Sequence, residues 1–228
     1  MKNDIKAVGD LMARLAVIRS FFGITYPHVW IFIIARTFLI PLKFFHEILP
    51  KQGKLVEIGS GHGIICQYLL RRSPKRIILG YDIDTKRTDL AIKATRHLNN
   101  INFKSREFEE IKDERLSAII IIGVFCLLNN KSVNKIFDLV SKSLKPGDTL
   151  LIHDILKKKN KDWIQKSHLI REKYLSRIGF TKSEGLFLRN REWWNELLLR
   201  NNFTDLKYIN APVFLHSTFN LLSKLKSQ

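Results

Sequence analysis

Between residues 50 and 155 the chain alternates short apolar runs with stretches whose apolar residues recur every three or four positions. Leu55 to Ile58, Arg76 to Tyr81, Ile101 to Lys104, Leu116 to Ile122 and Thr149 to Ile152 read as strands. The run from Leu116 is β-branched and suits burial on both faces. Ile64 to Leu70, Thr85 to Leu98 and Val133 to Leu144 read as the helices between them. Ser73-Pro74 stops the first helix, and Lys145-Pro146-Gly147-Asp148 is a turn by composition. Residues 154 to 200 read as a longer, basic, helix-rich connection. Phe203 to Ile209 and Val213 to Leu222 follow as a terminal antiparallel pair. The alternation predicts an α/β fold, a doubly wound and mostly parallel seven-stranded sheet with right-handed crossovers and N-terminal helices.

Residues 1 to 50 stand ahead of this domain, which occupies 51 to 228. Leu11, Leu15, Ile18 and Phe22 recur at helical spacing with Arg14 and Arg19 off their line, which predicts an amphipathic helix. Pro41 to Leu49 reads as a further helix. The uncharged run from Ser20 to Ala35 is 16 residues and contains Pro27 and His28. That is short and interrupted for a membrane span, and no small-residue cleavage site follows it. Two readings stay open. The segment is a helical lid on the following domain, the preferred one, or an interfacial membrane contact in which Arg14, Arg19 and Lys43 meet anionic headgroups.

Composition changes this picture in two places. The length of 228 residues and the 15 Phe suit one α/β domain with a small appendage. The formal charge of +18 points equally to an anionic partner (nucleic acid, anionic lipid or an acidic protein) and to a compositional bias toward Lys, Asn and Ile. Cys66 and Cys126 lie far apart in apolar stretches and read as buried free thiols of a cytoplasmic protein. The Cys and His residues have no metal-ligand spacing, so no metal site is expected.

The chemistry concentrates in Glu57-Ile58-Gly59-Ser60-Gly61-His62-Gly63-Ile64, a strand end, a glycine-rich turn and a helix start. Glycines there permit positive φ and close approach of a ligand to the backbone. A dinucleotide turn would need Gly at position 64, where Ile stands, and Glu57 would repel a pyrophosphate. Asp82 closes the second strand 19 residues after Gly63, placed to accept hydrogen bonds from ribose hydroxyls. Asp84 is the rival for that role, or else a helix cap.

The pattern Glu-x-Gly-x-Gly-x-Gly, followed by an acid after the second strand, resembles the class I S-adenosylmethionine-dependent methyltransferases over about residues 50 to 155. The resemblance implies cofactor contacts from Glu57, Gly59, Ser60, Gly61, Gly63 and Asp82. It further implies Ile83 against the adenine, Glu107 and Phe108 after the third strand, and Gly123 after the fourth. Many relatives carry Asp at the positions of Ser117 and Gly123, and this chain does not. His153-Asp154 is the titratable pair available as a base or to bind an acceptor hydroxyl. The same residues also read as a strand end and a helix cap. Trp163, Tyr174, Phe187 and Trp193 are candidates for an apolar acceptor pocket. The segment Gly123-Val124-Phe125-Cys126 lacks the motif of base N-methyltransferases, and neither cysteine follows proline as cytosine C5 chemistry requires. Pro41 to Leu49, His62, His153-Asp154 and Glu192-Trp193 are similar to small bacterial methyltransferases of aryl polyene biosynthesis. The expected activity is therefore methyl transfer to a small or lipid-like acceptor, carried on an acidic carrier protein or free. An RNA methyltransferase and a non-catalytic S-adenosylmethionine-binding partner protein are the alternatives. Peripheral contact with the inner face of the membrane accompanies the second reading of residues 1 to 50.

Overall fold

The computed structural model of the chain describes residues 2–111, 115–157, 185–209 and 218–225. Three helices come first, α1 (Lys2–Ser20), α2 (Pro27–Leu39) and α3 (Leu42–Ile48). There follow β1 (Gly53–Ile58), α4 (Ile64–Arg72), β2 (Arg76–Asp82), α5 (Thr85–Thr95), β3 (Ile101–Ser105), β4 (Ala118–Ile122), a 3-10 turn (Phe125–Leu127), α6 (Asn130–Ser143) and β5 (Thr149–Ile155). The chain ends in α7 (Arg191–Arg200), β6 (Phe203–Ile209) and β7 (Thr218–Leu225). Seven strands are hydrogen-bonded in the order β3-β2-β1-β4-β5-β7-β6. β1, β2 and β3 pair parallel, whereas β5, β7 and β6 pair antiparallel. The mostly parallel sheet with an antiparallel end is the one expected from the alternation. The last strand runs to Leu225, past the expected end at Leu222, and residues 213–217 of the expected Val213 to Leu222 lie outside the described residues.

The chain divides into two compact units, Met1–Phe108 with Leu116–Ala118, and Glu109–Arg115 with Ile119–Gln228. In the first, β1 and α4 are almost wholly buried, and α1 and α3 pack on α4. Arg76, fully buried at the start of β2, fastens this arrangement. Its guanidinium donates to Pro50 O at 2.7 Å and Leu69 O at 2.8 Å and contacts His46 Nδ1 at 3.1 Å. Burying an arginine is costly unless its donors are matched, and carbonyls at the ends of α3 and α4 match them here.

The amphipathic line expected for the first helix is corrected by the structure. Of Leu11, Leu15, Ile18 and Phe22 only Ile18 is buried, while Arg14, expected outside, is inside with Ala13, Val17 and Phe21. Arg14 Nε donates to Asp10 Oδ2 at 2.9 Å, its Nη1 donates to Thr37 O, and Tyr68 donates to the other oxygen of Asp10. The matched polar cluster makes the side that carries Asp10 and Arg14 the inner one and leaves Leu11, Leu15 and Phe22 outside.

In the second unit Phe125, Phe137, Trp194 and Phe203 form an aromatic core. Arg189 is buried beside it and donates to Phe125 O and Leu128 O, each at 2.7 Å.

Candidate functional site

β1 delivers the glycine-rich turn at its carboxyl end. Gly59, Gly61 and Gly63 have φ of 75, 51 and 69°, the left-handed values that favour glycine. The N–H groups of Gly59 and Ser60 donate to Tyr81 O at 2.8 and 2.9 Å, which ties the turn to β2. Gly63 cannot carry a side chain for a second reason. A Cβ there would lie 2.5 Å from Phe103 Cζ, and one at Gly80 would lie 2.6 Å from the same ring. Phe103 thus fills the space under the turn, opposite Gly80 in the β2–β3 register. Gly61 differs, because a Cβ there would meet nothing closer than 3.9 Å. Its outer side is open.

Asp82 and Asp84 separate cleanly. Asp82 Oδ2 accepts from Gly61 N at 2.7 Å and its Oδ1 from Asp84 N at 2.8 Å, so the carboxylate sits on the rim of the turn. Asp84 caps α5, accepting from Arg87 N at 3.2 Å. Ile83 beside them is 50% exposed, unusual for isoleucine at a strand end. Ser60 is buried, and its hydroxyl has no hydrogen-bond partner among the described residues. A buried orphan hydroxyl is costly to leave unmatched, and it lies in the turn that the motif assigns to a ligand.

Glu57 is the strongest electrostatic feature. It is buried under the turn and accepts from Cys66 Sγ at 2.8 Å. The cysteine is therefore buried and free as expected, but its surroundings are not wholly apolar. Burial pushes the Glu57 carboxyl up to about 8, against the Cys66 hydrogen bond and the Arg36 charge, which pull it down. His62 is held neutral, its pKa pushed down to about 4 by burial and then by Arg87 and Arg36. Two aromatic rings from the N-terminal helices lie against it, Phe21 at 6.5 Å and Phe32 at 5.7 Å between centroids. Phe32 and Arg36 are one helical turn apart on α2, so this helix brings both a ring and a cation to the turn.

A pH dependence follows. Glu57 gives up its proton near pH 4.5 in the unfolded chain and near 8 in the folded one. Between those values the folded state holds the extra proton, so this group's contribution to stability falls as pH rises, by up to about 1.4 kcal/mol per pH unit. His62 works oppositely at lower pH: the unfolded ring protonates below about 6.5 and the folded ring only near 4, so stability falls as pH drops through that interval. Glu57→Gln removes the first effect alone. Urea unfolding at pH 6 and pH 8 should show the wild type losing stability relative to Glu57→Gln at the higher pH. A constant difference between the two proteins would refute the assignment.

The other expected residues are placed as follows. Glu107 is exposed after β3, and Phe108 is buried edge-on against Tyr81 at 5.3 Å. In the second unit, Gly123 has φ of 65° and donates to His153 O at 2.8 Å. His153 and Asp154 are both buried at the end of β5. Asp154 Oδ2 accepts from Cys126 N at 2.9 Å and its Oδ1 from Ile155 N at 2.7 Å. Burial raises its pKa, while the Cys126 contacts and Arg189 lower it. Those contacts are of a kind that anchors a loop, and among the described residues Asp154 lies within β5 and not at a helix start. Trp193 is half-buried with the Arg189 guanidinium 4.6 Å from its ring centre, and Phe187 lies 6.0 Å from the same group. Trp163 and Tyr174 lie outside the described residues. Residues that sequence reasoning did not select are Arg36, Cys66, Gly80 and Phe103. Gly80 had a signal, since glycine inside a strand marks a close approach. Arg36 had one too, as a lone charge in an apolar run.

A family profile described as methyltransferase domain matches residues 33–208. No curated protein sequence matches the chain. Among solved structures, human N-acetylserotonin methyltransferase in complex with SAM has a TM-score of 0.62 at 14% identity, over 86% of this chain and 55% of that one. An O-methyltransferase family 2 protein from Planctomyces limnophilus, in complex with apigenin, has a TM-score of 0.58 at 18% identity, over 80% of this chain and 56% of that one. The YcgJ protein of Bacillus subtilis has a TM-score of 0.63 at 13% identity, over 82% of this chain and 99% of that one. The chain therefore spans little more than half the length of the first two and nearly all of the third. At these identities the likeness is one of fold.

Proposed function

The chain belongs to the methyltransferase-domain family, and from that premise we propose that it transfers the methyl group of S-adenosylmethionine to a small or lipid-like acceptor. The observation that carries the reading is the open Gly61 backbone with Asp82 Oδ2 at 2.7 Å on the rim of the turn. The residues present fit the cofactor: a rim carboxylate, a half-exposed isoleucine, a buried unmatched hydroxyl and a buried acid within one turn. When bound, the cofactor supplies an electrophilic methyl group on a sulfonium. Asp82 would accept the ribose hydroxyls and Ile83 would cover the adenine, with Glu107 facing its amino group. Phe108, edge-on to Tyr81, shapes the floor at that end. Glu57 would receive the ammonium and lose its proton in doing so, while Arg36 is the cation available to the carboxylate of the amino-acid end. Ser60 Oγ supplies a further donor.

Residues 1 to 50 act in this reading as a lid, because Phe21 and Phe32 cover His62 and keep water from the turn. Transfer then rests on alignment. A base is needed only for an acceptor that must lose a proton. In the second unit, Gly123 at a φ of 65° permits close approach of a ligand to its own backbone. His153 is the candidate base there, since Asp154 is occupied by backbone donors.

The relatives' names favour a small acceptor, N-acetylserotonin in one and bound apigenin in another. The net charge of +18 suits delivery on an acidic carrier protein. Calorimetry on the purified chain should detect binding of S-adenosylhomocysteine. Label from methyl-labelled cofactor should enter the small-molecule and lipid fractions of an extract. Label confined to RNA would replace the acceptor reading, and tight NAD binding without S-adenosylhomocysteine binding would overturn the whole.

A further inference from the structure

The outer side of α1 and α2 has no role in the site described above, and its composition is unusual. Thirteen large apolar side chains are exposed among the described residues, and nine of them fall between Leu11 and Leu39. On α1 they are Leu11, Met12 and Leu15, in one stripe with Arg19. On α2 they include Ile31 and Phe38. The turn between the helices presents Phe22 at 74% and Tyr26 at 73% exposure. These aromatics are braced, since Phe22 lies edge-on to Trp30 at 6.0 Å and Tyr26 stacks on His28 at 5.8 Å. The inner sides of both helices are already committed to the fold through Val17, Phe21, Val29 and Ile33. One side alone is on offer.

Charge identifies the occupant. No Asp or Glu stands between Asp10 and Glu47, while Arg14, Arg19, Arg36 and Lys43 do. Arg14 and Arg36 serve the interior, and Arg19 and Lys43 are exposed at the surface. A second copy of the chain would bring the same cations against them, and water would leave the apolar area uncovered. We propose that the outer side of α1, α2 and their aromatic turn docks on an anionic lipid bilayer. The helices lie in the plane of the interface, with apolar side chains among acyl chains and Arg19 and Lys43 at the headgroups. They do not cross it. No single helix of the described residues is long and apolar enough to do so, and α2 with α3 passes such a test only as a pair bent by 53°. The lid and the membrane contact, set against each other by the sequence, become the two sides of one segment. The inference does not rest on the acceptor assigned above, because vesicle binding needs neither cofactor nor turnover.

The experiment is flotation of the full purified chain with vesicles of phosphatidylcholine alone or mixed with phosphatidylglycerol. The wild type should float with the anionic vesicles and stay in solution with the neutral ones. The triple variant Phe22→Ser, Tyr26→Ser, Ile31→Ser keeps the net charge, so it separates apolar docking from general attraction of a basic protein. Its partitioning should fall by about tenfold or more, with the thermal melt unchanged. Arg19→Glu should weaken flotation and make the remainder less salt-sensitive. Failure of the wild type to float would overturn the proposal, as would equal flotation of the triple variant. Sedimentation of the wild type as a dimer that the triple variant breaks would also overturn it, and would make this surface a contact between copies.

Discussion

Asp82→Ala should weaken S-adenosylhomocysteine binding by roughly 10- to 150-fold, the equivalent of ~1.5–3 kcal/mol for hydrogen bonds to a charged group. The carboxylate serves two ends at once. Within the protein it takes the N–H of Gly61 and the N–H of Asp84. Toward the ligand it has further lone pairs, which two adjacent ribose hydroxyls would share. Alanine removes both functions, so Asp82→Asn is the informative companion. Its amide oxygen can still accept from one backbone N–H, and its NH2 faces whatever the second oxygen accepted. If Asp82 acts only as a brace for the turn, the asparagine variant, which keeps one of the two backbone N–H bonds and turns its NH2 on the other, should bind between the wild type and alanine. If it is a ribose acceptor, calorimetry should find asparagine close to alanine. Both variants should remain folded, because Asp82 is only partly buried and α5 keeps its cap in Asp84.

The division between Asp82 and Asp84 is legible in the sequence, because an acid that closes a strand and an acid that opens a helix sit in different chemistry. The sheet was legible for a similar reason. Each apolar run of four to seven residues between breakers had few alternatives to a buried strand, and the turn glycines fixed where the first strand ended. The inner side of the N-terminal helix is not legible there, because periodicity reports which residues share a side, not which side is inside. Arg14 is buried through Asp10, Tyr68 and Thr37, a set of partners scattered over 58 positions of the chain. No local pattern holds that information. The same applies to Glu57. The motif selects an acid there, but its partner Cys66 comes from a helix whose rotation only packing determines. Phe103 was invisible as a site residue, since its task is to lie under glycines that are distant in sequence.

Those glycines allow fold and binding to be separated by single methyl groups. Gly63→Ala places a Cβ 2.5 Å from Phe103 Cζ at a φ of 69°. Overpacking costs about 1–3 kcal/mol and the left-handed conformation about 1–2 kcal/mol for alanine, so a loss of roughly 2–5 kcal/mol of stability is expected. The clash is with the buried ring of Phe103, which cannot swing away as a flexible chain end would. Phe103→Leu in the same protein should recover part of the loss, because the two sites share one space and their effects do not add. Gly61→Ala meets no atom within 3.9 Å and has only the conformational term, about 1–2 kcal/mol. Its methyl group instead enters the open side of the turn, where the reading puts the cofactor. Urea unfolding should therefore rank Gly63→Ala well below Gly61→Ala. Calorimetry should find that Gly61→Ala, still folded, has lost most of its affinity for S-adenosylhomocysteine. A Gly61→Ala protein that binds like the wild type would mean that the ligand does not approach the turn from that side.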